Sequence, residues 1–187
     1  GDVTGCQNHG AVTFSAVQEA WMNCGGLFGE VTNEVTLKDC TNYGHVLYNG
    51  TNTNNKSISL AGISASINSA SFENCVNLGN IECNAQAKHY GGTNIGGIVG
   101  MINGGNGGTI TDSANGSKDD ATLGALTNNS PTGGQVRIGG FIGYIEKKDF
   151  NITSFKNYGK VTNNGTSTSQ MALGGVVGLV LGAEGTP

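Results

Sequence analysis

The octapeptide Ile-Gly-Gly-Ile-Val-Gly-Met-Ile, residues 95–102, decides how this chain is read. It recurs as CGGLFGEV at 24–31, LAGISASI at 60–67, IGGFIGYI at 138–145 and LGGVVGLV at 173–180. Within each copy the side chains alternate with period two, as on a strand with two distinct faces. One face carries Leu27, Ile63, Ile98, Phe141 and Val176, and further on Val31, Ile67, Ile102, Ile145 and Val180. Between them stand Gly29, Ala65, Gly100, Gly143 and Gly178. An apolar face whose middle position is always Gly or Ala predicts a core so narrow that a larger side chain would strike the opposite wall.

A second block recurs in phase with the first: GCQNHGAV, DCTNYGHV, NCVNLGNI and SFKNYGKV, with DSANGS as a degenerate member. The repeats therefore begin near residues 6, 40, 75, 113 and 155, at leading positions Cys6, Cys40, Cys75, Ser113 and Phe155. Two more apolar columns share the same phase: Leu37, Phe72, Ile110 and Ile152 before the leading position, and Val12, Val46, Ile81 and Val161 after the Asn-x-Gly element. A repeat of roughly 35 residues built from three short strands and Gly/Asn turns predicts an all-β fold, a parallel β-helix-like solenoid of about five coils. Helical repeats of this length would use Ala, Leu, Glu and Lys and avoid glycine. Residues 1–187 read as one such domain and as an excerpt of a longer array.

Stacked coils place equivalent residues about 4.8 Å apart. Asn8, Asn42, Asn77 and Asn157, with Asn115 in the degenerate copy, are then expected to form an amide ladder at a corner, each two residues before a turn glycine. Cys6, Cys40 and Cys75 stack along one wall as small buried hydrophobes, and parallel Cβ vectors at that spacing disfavour disulfides between them. Both ladders are read as structural.

Composition excludes several classes. With 33 glycines, two prolines and no every-third-residue glycine, the chain is not collagen. Its net charge of −4 comes with nine Lys and Arg, and Arg137 is the one arginine, so no row of phosphates would be neutralised and no nucleic-acid partner is expected. No apolar run is long enough for a membrane span. The His-Glu-x-x-His pattern of zinc peptidases is absent; His9, His45 and His89 fall at non-equivalent positions expected to be exposed. Asp39, Asn74, Asp112 and Ser154 share one repeat position and read as turn residues, while Asp119 and Asp120 are neighbours on a loop, which is no pairing for glycoside cleavage. No catalytic residue, cofactor or metal site is assigned.

The stretch GGIVGMINGGNGGTITDSANG, and equally GGFIGYIEKKDFNITSFKNYGKV, resembles the GLUG motif of bacterial surface and secreted proteins, found among others in non-catalytic regions of immunoglobulin A-specific metallopeptidases. The resemblance runs through five copies. It departs from the common pattern at Ala65 and at the enlarged stretch 117–135, expected to be a surface loop. It implies an extracellular or cell-surface module, bacterial in origin, that acts as a structural or adhesive scaffold; the alternative is an accessory region positioning substrate or partner for a secreted hydrolase such as a peptidase.

On the strand face opposite the inferred core lie Phe28, Ser64, Val99, Ile142 and Val177, then Glu30, Ser66, Met101, Tyr144 and Leu179. Toward the C-terminus this face turns apolar. Val99, Met101, Ile142, Tyr144, Val177 and Leu179 are therefore expected either to contact a partner, a protein or a glycan at a surface, or to be covered by loops of the same chain such as 47–58 or 117–135, with end-to-end self-association as a further mode.

Overall fold

A computed structural model describes residues 1–105, 107–146 and 150–181. Over these described residues the chain winds five times as an all-β solenoid without helix, and every strand pairing among them is parallel, each coil lying on the one before it. Among the described residues four long sheets run along the axis, with a fifth of two strands, Val17–Gln18 and Thr51–Asn52. Sheet I joins Gln7–Asn8, Thr41–Asn42, Val76–Asn77, Ala114–Asn115 and Lys156–Asn157. Sheet II joins Val12–Phe14, Val46–Tyr48, Ile81–Cys83, Leu126–Asn128 and Val161–Asn163. Sheet III holds the strands entering the Gly-Gly pairs, Met22–Gly25, Ile58–Ala61, Thr93–Gly96, Val136–Gly139 and Met171–Gly174. Sheet IV, eight-stranded, begins with Asp2–Thr4 and holds the strands that leave the Gly-Gly pairs, from Phe28–Lys38 and Ser64–Glu73 to Val177–Val180. The octapeptide, read from the sequence as one strand, is split at the Gly-Gly pair between sheets III and IV; the column of Leu37 and Phe72 joins sheet IV, and the Asn position pairs as a further two-residue strand before the turn.

The core is divided in two by a waist. On one side Leu37, Phe72 and Ile110 pack with Ile63, Ile67, Ile98, Ile102 and Phe141. On the other, Val46, Ile81 and Leu126 pack with Ile58, Leu60, Ile95, Val136 and Ile138. The central residues are fully buried, and each such aliphatic side chain contributes about 2 kcal/mol by leaving water. At the waist a Cβ on Gly100 would lie 2.6 Å from the Ala65 carbonyl oxygen and 2.9 Å from that of Leu60. Sheets III and IV touch there through backbone, as the narrow-core reading requires.

The second glycine of each pair serves a different contact. Cβ atoms on Gly26, Gly62, Gly97 and Gly140 would collide with the side-chain amides of Asn42, Asn77, Asn115 and Asn157 respectively, one coil later in each case. Those amides form the expected ladder. Asn8 Nδ2 donates to Asn42 Oδ1 at 2.9 Å, Asn42 to Asn77 at 2.8 Å, Asn77 to Asn115 at 2.7 Å and Asn115 to Asn157 at 2.8 Å. Each amide also closes its own turn, as where Asn77 donates to the Gly79 carbonyl at 2.9 Å and accepts from the Gly79 N–H at 3.2 Å. In the fourth coil the glycine of the corner is Gly124, nine residues after Asn115, and not Gly116. The enlargement is therefore the short excursion 116–123, and from residue 124 the chain resumes the ordinary solenoid, with Leu126 in the column of Ile81 and Val161.

Just before each leading position the backbone is left-handed, at Gly5 (φ 69°), Asp39 (54°), Asn74 (52°), Asp112 (50°) and Ser154 (53°). Gly, Asn and Asp tolerate that conformation best, so the turn reading of this column holds. Cys40 and Cys75 are fully buried and Cys6 half-buried in the leading column, and all five cysteines are free thiols. Burial pushes the Cys75 thiol up to about 12 and those of Cys24 and Cys83 to about 11. Because the thiolate is the nucleophile, iodoacetamide at pH 8 should alkylate Cys6 first and leave the other four until the protein is unfolded. Mass spectrometry without reductant checks this, and fewer than five alkylated sites after denaturation would contradict the free-thiol wall.

His89 is a correction to its expected exposure. It is 1 % exposed, in a buried polar column with Gln18, Asn52 and Thr132. Its ring lies 3.5 Å from Asn52 Nδ2 and 3.4 Å from Thr93 Oγ1, both neutral, and burial lowers its proton affinity below the ordinary imidazole range. The unfolded chain then binds a proton that the folded chain resists, so stability falls as pH drops through about 6.5. Thermal melts between pH 7.5 and 5 should show this slope, and His89→Gln should flatten it; an unchanged slope in the variant would remove His89 as the cause.

Candidate functional site

The six residues expected to form an apolar contact face divide into two sets. Val99 and Ile142 are fully buried, and Val177 packs half-buried against the same core. The cause is the corner. The chain bends at Gly97–Ile98 and strand structure restarts at Val99, so side-chain alternation does not carry through and adjacent residues Ile98 and Val99 both enter the core. The other three, Met101, Tyr144 and Leu179, share one row on sheet IV, in register with Ser66 and Glu30, but Tyr144 is 5 % exposed and also departs from the expected contact face, while Met101 and Leu179 are half-buried.

That row meets a second one from sheet III: Asn23, Ser59, Asn94 and Arg137, in register through neighbouring coils. The second row obeys the same period two in the strand before each Gly-Gly pair and is legible there, but its members share no residue type that would mark it. Where the rows close, Asn94 Nδ2 lies 3.8 Å from Met101 Sδ, and the Arg137 guanidinium stacks on the Tyr144 ring at 4.1 Å. Arg137 Nη1 donates to Asn94 Oδ1 at 2.8 Å, and Nη2 bonds to Gln135 Oε1. Burial lowers the Arg137 pKa, and burial, then the Glu146 charge, raises that of Tyr144.

Toward the first coils the rows part into a cleft of about 380 Å³, lined by Trp21, Asn23, Glu30, Ser57, Ser59, Ser66, Met101, Asn103 and Glu146. Trp21 is 67 % exposed and has the Lys56 ammonium over its ring at 4.2 Å. Ser66 is only 5 % exposed. Among the described residues no hydrogen bond or ion pair engages the side chains of Asn23, Glu30, Ser66 or Asn103.

A larger groove of about 710 Å³ runs over sheet I beside the 116–123 excursion. Its polar groups are more fully engaged. Ser113 Oγ donates to the Thr111 carbonyl at 2.9 Å and accepts from the Cys75 N–H at 3.0 Å, and Lys118 pairs with Asp119 at 2.7 Å. The histidines do not converge: His9 stacks on Tyr43 at 4.4 Å, His45 lies 3.6 Å from Glu82 Oε2, and His89 is interior. No group of three metal-ligating side chains occurs among the described residues, and no helix long and apolar enough to cross a membrane occurs among them.

Comparison with family models, with curated proteins and with solved structures finds no match to this chain.

Proposed function

We propose that this domain is a non-catalytic extracellular repeat module of the GLUG type, a rigid scaffold in a bacterial surface protein or fibre that spaces and presents a binding surface. The observation that carries the reading is the division of labour within each coil. The Gly-Gly pair, the Asn-x-Gly amide and the aliphatic columns are spent on stacking, and repeat five times with little change. The row on the other side of the same strands varies, from Glu30 and Ser66 to Met101, Tyr144 and Leu179, as it would if stacking did not constrain it.

Antibody labelling of intact and permeabilised source cells tests the scaffold reading: label on intact cells is the expected result, and label only after permeabilisation overturns it. Negative-stain images over a concentration series test end-to-end assembly, which single particles at every concentration would exclude.

A further inference from the structure

We infer that the cleft beneath Trp21 binds a neutral saccharide. The inference takes the adhesive part of the scaffold reading as its premise and names the ligand class.

The lining decides the chemistry. A pyranose offers a flat apolar C–H face and a rim of hydroxyls that both donate and accept. It needs an aromatic platform at one edge, strong acceptors for its donors, and neutral groups that can play either part. Trp21 is the platform, exposed and at the mouth. Glu30 and Glu146 are the acceptors, and charge-assisted hydrogen bonds to a sugar hydroxyl are the stronger kind. Ser57, Ser59, Ser66, Asn23 and Asn103 are the neutral groups.

Ser66 carries the independent argument. Its residue is 95 % removed from solvent, it lines the cleft, and no partner for its hydroxyl exists among the described residues. That hydroxyl is reached by solvent from the cleft, so a ligand hydroxyl would replace water on a group that the fold itself does not engage. The volume, about 380 Å³, falls in the range of about 300–1,000 Å³ usual for small-molecule clefts.

Two other ligand classes fit less well. An anionic sugar would face Glu30 and Glu146 with Lys56 as the cation nearby, and that ammonium already lies over the indole. A polyamine would be drawn by the carboxylates, but it carries donors only at its ammonium groups and would leave the serines and amides largely unused.

Trp21 is the single tryptophan, so its fluorescence reports on the cleft directly. The purified protein is titrated with cellobiose, maltose, lactose and N,N′-diacetylchitobiose, with digalacturonate and spermidine as the charged probes. A saturable change with at least one neutral disaccharide, and none with the charged probes, is expected. Isothermal calorimetry with that sugar should then show affinity about tenfold weaker in Glu30→Gln and weakened in Ser66→Ala, with Tyr158→Ala, outside the cleft, unchanged. Melting temperatures of the variants separate lost binding from lost folding. Absence of saturation by all four neutral sugars, saturation by spermidine or digalacturonate instead, or affinity indifferent to both cleft substitutions would overturn the inference. Failure on any of these grounds leaves the scaffold reading intact, because surface labelling tests that independently.

Discussion

Gly143→Ala is expected to cost about 4 kcal/mol of stability or more, among the largest effects available to a single methyl group. The added Cβ would stand 2.5 Å from the Gly100 carbonyl oxygen and 2.8 Å from both the amide nitrogen and the carbonyl oxygen of Ile95. All three are backbone atoms, in strands held by parallel neighbours on both sides. No rotamer change relieves the contact, so sheets III and IV must separate at the waist and both half-cores loosen with them. For a domain of this size that loss is a fall of about 10 °C in melting temperature, and Gly143→Val should fail to give soluble protein. Ala65 shows where the rule relaxes. It occupies the same column but faces Met22–Gly25, the edge strand of sheet III, which no earlier strand of that sheet holds in place. Ala65→Gly should therefore change stability little. Urea titrations of the three variants check the series; a Gly143→Ala protein as stable as the parent would mean the waist is not closed.

The solenoid is readable from sequence because equivalent residues become axial neighbours, so any column with a physical requirement repeats as a letter. The aliphatic columns, the waist glycines and the ladder asparagines all announce themselves this way. Val99 and Ile142 lie inside, against expectation, because alternation does not carry through a corner, and a two-residue bend resets which face a side chain takes. Gly124 is hidden because its spacing from Asn115 is set by an excursion whose length nothing in the coil constrains. The cleft is half visible. Glu30, Ser66, Met101 and Tyr144 share a row that period two defines, whereas their opposition to Asn23, Ser59, Asn94 and Arg137 depends on how tightly the chain folds back at Gly-Gly. Trp21 lies outside both repeated blocks, so its place at the mouth depends on the three-dimensional path of the segment before sheet III.

Asn77→Ala tests the other half of the stacking device, and a double-mutant cycle with Gly62→Ala makes the test specific. Removing the Asn77 amide deprives Asn115 Oδ1 of its donor, Asn42 Nδ2 of its acceptor, and the Gly79 N–H and carbonyl of their turn partner. Asn42, Asn77 and Asn115 are fully buried, so these groups are not readily resatisfied by water. A loss of about 4 kcal/mol is expected. Asn8→Ala, at the exposed end of the ladder, should cost about 1 kcal/mol. Gly62→Ala alone should be comparably damaging, because its methyl would enter the space of the Asn77 side chain. In the Asn77→Ala background the two nearest clashes, with Cγ and Oδ1, are gone and only the Cβ of residue 77, at 2.5 Å, still stands in the way, so the second substitution should add less than it costs alone. The two effects are therefore expected to be non-additive, with a coupling of about 1 kcal/mol or more. Additive losses would mean that glycine and asparagine are independent features of a Gly/Asn-rich chain, and the coil would lose the contact that sets its register.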